Sequence, residues 1–179
     1  MTRYTLLLLF LTSCSPREKP SVIPRDLAAR SAFPPSEAVA CAQCHPSEFA
    51  DWLGSQHARA NRMVHRESDP AILAKGPVEA ATAEAVIGIT PLMQYLIPAP
   101  GGRLQALEWA YDPRSNEWFN VFGEENRQPG EWGHWTGRGN TWNVQCAFCH
   151  MTGFEKNYAP DRDTYASTWK AMGISCSQC

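Results

Sequence analysis

Hydrophobic positions change their spacing several times along this chain. An apolar run over 6–11 opens it, followed by a stretch with little periodicity to about position 40. From Pro46, Phe49, Trp52 and Leu53 recur at helical spacing until Gly54, which predicts a short helix with proline in its first turn. Residues 66–82 are polar or small and give no assignable period. At Ala85 the pattern turns β-like (AVIGI), PLMQYLIPAPGG is interrupted by prolines, and LQALEWAY and EWFNVF flank DPRSN as two strands flank a turn. These features predict a small β-hairpin. GEENRQPGEWGHWTGRGN reads as loop, and TYASTWKAM, with Tyr165, Trp169 and Met172 on one helical face and Gly173 just past its end, predicts a short helix.

The N-terminus refines the picture. Arg3 precedes the apolar run, and Thr12 and Ser13 are small residues ahead of Cys14, the order of an export signal; the run is far too short to span a bilayer. Leu11-Thr12-Ser13-Cys14 also resembles the cleavage box of bacterial lipoproteins, which implies a signal peptide over 1–14 ending at Cys14 and lipidation of that cysteine. Residues 15–40 hold five prolines and read as a semi-extended tether, leaving 41–179 as the folded domain.

Composition adds boundaries. A net charge of -2 over 179 residues is too balanced for a nucleic-acid binder, so no nucleic-acid partner is expected. Fourteen prolines and twelve glycines argue against long helices or a large regular sheet, while seven tryptophans suit a loop-rich chain packed around a flat apolar group.

The cysteines carry the chemistry. Six of the seven form C-x-x-C pairs, at Cys41/Cys44, Cys146/Cys149 and Cys176/Cys179, and only Cys14 is left over. The first two pairs are followed directly by His45 and His150, which makes each a C-x-x-C-H, the attachment sequence of c-type haem. Cysteines three apart share one face of a helical turn, so both sulfurs can add to the porphyrin vinyl groups while the adjacent histidine reaches the iron. Three other uses of such pairs remain open. A zinc ribbon would need pairs about 12–20 residues apart, far closer than Cys44 and Cys146. A thioredoxin-like redox pair needs a βαβ setting that the pattern does not offer. Structural disulfides in an exported chain would give no reason for the histidine after each pair.

A c-type haem takes a second axial ligand unless it is catalytic. His57 lies twelve positions after His45, about 18 Å along an axis if the stretch were one helix, so it would serve a different haem. His134, among glycines and tryptophans, is a second candidate, against the alternative of a loop histidine bonded to backbone. His65 reads as a surface residue. Met151 and Met172 read as core rather than ligands, which favours His/His ligation and a low potential. Trp52, Trp132, Trp135, Trp142 and Trp169 cluster near the motifs and would pack there.

CAQCHPSEFADWLGSQHARA, GITPLMQYLIPAPGGRLQALEWAYDPRSNEWFNVF and HWTGRGNTWNVQCAFCHMTGFEKNYAPDRDTYASTWKAMGISCSQC, in that order, resemble the bacterial multihaem cytochrome c family whose members often continue into tetratricopeptide repeats. The resemblance covers nearly all of 41–179. It implies that a third motif would read C-x-x-C-H-G-P-G, so the chain stops one residue short of a third proximal histidine, and that His57 is an axial ligand, with His134 a further candidate. One departure is that the region between His65 and Ala85 is shorter than the family leads one to expect.

Together these readings predict a mainly α and irregular fold organised around haems with a small β-hairpin insert. The expected cofactor is haem c, with two complete sites and a third incomplete one. The expected function is electron transfer with redox partner proteins, on the periplasmic side of a bacterial membrane and held there by a lipid anchor. The alternative is a multihaem oxidoreductase acting on a small nitrogen or sulfur compound at an open haem site.

Overall fold

The structure, a computed structural model, describes residues 35–178. The signal peptide, Cys14, most of the tether and Cys179 therefore lie outside the described residues. The tether's last residues are described, and the helix Ser36–Cys41 runs across the expected boundary at 40/41 into the first cysteine of the first motif.

A mainly α fold is not what forms. Among the described residues strand (27%) matches helix (26%), and the centre is a five-stranded antiparallel sheet. Strands β1 (Asn61–Met63), β2 (Ala85–Ile87), β3 (Met93–Ala99), β4 (Arg103–Asp112) and β5 (Glu117–Asn120) pair in sequence order as a meander. The expected hairpin is real, but it is only the β4–β5 edge of this sheet, closed at 113–116 where the Asp112 carboxylate accepts the Arg114 amide at 2.8 Å.

The β-like stretch at Ala85 forms β2 as expected, and β3 was hidden because both faces of the sheet are covered there. Met93, Tyr95 and Val86 pack on one side with Ile72, Leu73 and Trp118, whereas Leu96, Ala85, Ile87, Leu104 and Ala106 pack on the other with Trp142, Met151, Trp169 and Met172. A strand buried on both faces shows a continuous apolar run instead of alternation. Pro98 had argued against a strand. It follows Leu96, the last β3 residue that pairs with β2, so its missing N–H falls where the strand has a neighbour on one side only.

The unassigned region 66–82 holds a short helix, Asp69–Leu73, and a 3-10 turn, Val78–Thr82. The helix is anchored by Asp69. This buried carboxylate takes both Arg62 guanidinium nitrogens at 2.7 and 3.0 Å, and also the His65 amide at 2.6 Å. Burial alone would raise its pKa, but the Arg62 and His65 hydrogen bonds outweigh it and hold the carboxyl below its ordinary value.

The helix expected over TYASTWKAM does not form. Short strands β6 (Met151–Thr152), β7 (Tyr158–Ala159), β8 (Thr164–Tyr165) and β9 (Ala171–Met172) pair as β6–β9 and β7–β8. The helical spacing of Tyr165, Trp169 and Met172 misled because each is claimed by a different partner. Tyr165 stacks on Tyr158, Trp169 meets Trp142 edge-on at 87°, and Met172 pairs with Met151. Among the described residues no helix is long and apolar enough to cross a membrane.

Candidate functional site

Each of the first two motifs is a single helical turn, as the cysteine spacing requires. In the first, the Cys44 and His45 amides donate to the Cys41 carbonyl at 3.1 and 2.9 Å; in the second, the Cys149 and His150 amides donate to the Cys146 carbonyl, both at 3.1 Å. Cys44 and Cys149 are exposed, while Cys41 and Cys146 are half-buried. Burial, together with Cys149 alongside, raises the Cys146 thiol's pKa. His45 caps the helix Pro46–Leu53, the one helix predicted with its proline in the right place. Phe148, within the second motif, is 71% exposed and Val144, just before it, 42%, which leaves an apolar surface at the motif.

The second motif is held over the sheet by the helix Trp142–Gln145 that precedes it. Asn143 fixes this helix to the β3–β4 turn, its carbonyl oxygen accepting the Leu104 amide at 2.9 Å and its amide donating to the Gly102 carbonyl at 3.2 Å. Trp142, wholly buried, is boxed edge-on by Phe154 and Trp169. Among the described residues, the Trp142 and Trp169 indole N–H groups and Asn61 Oδ1 are buried without a partner, and Asn61 itself donates to the Met151 sulfur at 3.1 Å.

His150 has a defined tautomer. Its Nδ1 lies 3.1 Å from the Ala60 carbonyl, an acceptor, so the proton of the neutral ring sits on Nδ1 and Nε2 keeps its lone pair. Ala60 closes a turn on His57, donating to the His57 carbonyl at 3.2 Å. The same His57 carbonyl accepts the Ile174 amide at 2.9 Å, and the Trp52 indole donates to the Ile174 carbonyl at 2.8 Å. One turn, 57–60, therefore touches the histidine of the second motif and the approach to the third.

The third pair is brought in by the same logic. Thr152, just past the second motif, donates through Oγ1 to the Gly173 carbonyl at 2.8 Å and accepts the Ser175 amide at 2.9 Å. Gly173 has φ +76, and a side chain there would strike the Ala58 carbonyl, so glycine is required for this approach. Cys176 then begins a 3-10 turn, Cys176–Gln178, packed against the helix Ser36–Cys41, and burial together with the nearby Cys41 raises the pKa of its thiol. Cys179 lies outside the described residues.

The other candidates fall as follows. His57 is exposed. His134 is buried in the 133–140 loop, which Gln105 of β4 pins by donating to the Trp135 and Gly137 carbonyls, each at 3.0 Å. Its Nδ1 is engaged by Thr136, whose hydroxyl lies 2.7 Å and whose amide 3.2 Å away. His65 is exposed, and Met151 and Met172 are core. Of the tryptophans expected near the motifs, Trp132 is 68% exposed, and Trp135 packs with Ile97 and Leu107. Sequence reasoning missed Ala60, Asn61 and Glu37, all of which act through partners 90 to 140 residues away and leave no local signal.

Comparison with known proteins fits this arrangement. Residues 40–85, which include the first motif and His57, match the family model described as cytochrome c554 and c-prime. Two solved structures share the fold: an undecahaem cytochrome from the S-layer of Carboxydothermus ferrireducens (20% identity, TM-score 0.53, 88% of this chain and 21% of that one) and the outer cell wall cytochrome OcwA (19% identity, TM-score 0.51, 84% and 31%). The chain thus spans about a fifth to a third of their length. A search of curated proteins gave no match.

Proposed function

We propose that this chain is a bacterial multihaem cytochrome c, an exported electron carrier that binds haem c covalently at its first two motifs and passes electrons to and from redox partner proteins. The observation that carries the reading is the His150 tautomer. A metal-binding histidine characteristically donates its second ring N–H to a carbonyl or carboxylate, and the Ala60 carbonyl fills that role, leaving Nε2 free to bind iron.

The residues fit the cofactor. Cys146 and Cys149 sit on one turn with His150 beside them, and Phe148 and Val144 offer the apolar surface a porphyrin would cover. Cys41, Cys44 and His45 repeat the turn at the first motif. When bound, haem c supplies an iron that cycles between the ferrous and ferric states. The chain's own part is to fix the ring of His150 through Ala60, to keep water from the sheet side of the second motif with Trp142 and Trp169, and to hold the three motifs on one framework. Cys176 and Cys179 are the proposed attachment pair of a third haem.

For distal ligation, His57 is the better candidate. It is exposed and, among the described residues, carries no ring hydrogen bond that ligation would have to break, whereas His134 is buried with its Nδ1 held by Thr136. Lipidation at Cys14 and a location on the outer side of a bacterial membrane complete the proposal, supported by the signal-like N-terminus and by likeness to cytochromes of the S-layer and outer cell wall.

The test is covalent haem content: the chain is made with haem-attachment machinery and analysed by intact mass and pyridine haemochrome spectrum. At least two haems per chain, mapped to peptides holding Cys41/Cys44 and Cys146/Cys149, are expected. A chain that leaves the machinery with no haem and binds zinc instead would overturn the reading.

A further inference from the structure

One carboxylate docks the turn holding Cys176 on the helix of the first motif. Glu37 stands one helical turn before Cys41 on the helix Ser36–Cys41, and side chains four apart on a helix share a face. Its carboxylate accepts hydrogen bonds from the hydroxyls on both sides of Cys176. Ser177 Oγ lies 2.9 and 2.8 Å from the two oxygens, and Ser175 Oγ donates to Oε1. Ser175 is held from the opposite side, its amide bonded to Thr152 Oγ1 at 2.9 Å. Clamped at both neighbours, Cys176 sits in a turn packed on the helix that ends at Cys41, which brings the two cysteines close together. Both are accessible, Cys176 being exposed and Cys41 half-buried. In the second motif, the thiol beside Cys146 is that of its own partner, Cys149.

From this juxtaposition we propose that Cys41 and Cys176 form a redox pair, which in the chain that has not yet received haem closes into a disulfide joining the first and third motifs. Each thiol loses one hydrogen and one S–S bond forms; the two protons and two electrons pass to a disulfide-bearing oxidant protein of the exported compartment, which leaves as a dithiol. Attack by a reductant dithiol reverses the step. The bond itself rests on the geometry. Its consequence rests on the functional reading above: a sulfur held in the disulfide cannot add to a vinyl group, so haem attachment at the first motif becomes dependent on thiol reduction.

The full chain is exported in a host lacking haem-attachment machinery, its free thiols are alkylated during an acid quench, and a non-reducing tryptic digest is mapped by mass. Trypsin leaves Cys41 with Cys44 on one peptide and Cys176 with Cys179 on another, so the C44S/C179S chain identifies the pair. We expect the two peptides linked in the unsubstituted chain, about 2 Da below the sum of their thiol forms. The same link is expected in C44S/C179S, with a several-fold lower yield in E37A, which frees Ser175 and Ser177. Cys41 linked to Cys44, both thiols recovered alkylated, or a link whose yield ignores E37A would overturn the proposal.

A second readout uses the haem-loaded chain made with the machinery under limiting thiol reductant. Haem on the Cys41/Cys44 peptide should fall, and C176S should restore it; no restoration would overturn the consequence for attachment. If haem attaches under no reductant condition, the functional reading fails while the thiol map still reports on the disulfide.

Discussion

The imidazole of His150 is held at Nδ1 by the carbonyl of Ala60, 3.1 Å away and 90 residues earlier in the chain. Because Ala60 also closes the turn on His57, the two histidines are coupled through three residues of backbone. Substitutions should separate their roles. His150→Ala should lower covalent haem by one per chain, with the loss confined to the Cys146/Cys149 peptide. His57→Ala should leave the mass of the loaded chain unaltered apart from the substitution and add a high-spin ferric signal by electron paramagnetic resonance. An H57A protein that stays entirely low-spin would remove His57 from the ligand set.

The Asp69 cluster should matter for stability out of proportion to its size. Asp69 is 1% exposed and takes three close hydrogen bonds, two of them from a guanidinium. Asp69→Asn leaves Arg62 without its counter-charge and should cost about 3 kcal/mol. Denaturant unfolding followed by far-ultraviolet circular dichroism would check this; a cost below about 0.5 kcal/mol, the level of an ordinary surface change, would contradict it.

The same carboxylate sets an acid limit. Its pKa in the folded chain lies below the ordinary carboxylate value, so the folded state binds fewer protons than the unfolded state. Its contribution is present in full above the unfolded value of about 3.9 and is lost as pH falls through the folded value. Stability should thus fall below about pH 4 in the native protein, and the D69N chain should lack that part of the slope.

Gly173 is the point at which the segment leading to Cys176 approaches the rest of the protein. With φ +76 and the Ala58 carbonyl in the path of any side chain, Gly173→Ala should cost about 2 kcal/mol or more. The damage should appear first as faster proteolysis at Lys170, whose amide bonds the Thr152 carbonyl at 2.9 Å in the strand pair this glycine follows. Unchanged cleavage at that site would show that the approach tolerates a Cβ.

Much of the site was legible without coordinates because its chemistry is local. Two cysteines and a histidine within five residues form one helical turn in any context, and Pro46 with Gly54 bounds its helix without help from the rest of the chain. The β4–β5 turn was equally local, since the Asp112 side chain closes it through the amide two residues on.

What the sequence by itself determined is therefore the two C-x-x-C-H turns, the candidate ligands, one helix and one hairpin, all interactions that close within about ten residues. Only the tertiary structure decided the rest. MQYLI became a central strand because it is buried on both faces, a condition that erases the period by which strands are read. Tyr165, Trp169 and Met172 went to three separate partners instead of one helical face, because packing free energy outweighs the small propensity differences that a spacing argument relies on. The pairings of His150 with Ala60, Cys176 with Cys41 and Glu37 with Ser175 and Ser177 join positions 90 to 140 residues apart. No local pattern encodes such contacts; they exist only once the sheet has closed and brought the motifs together.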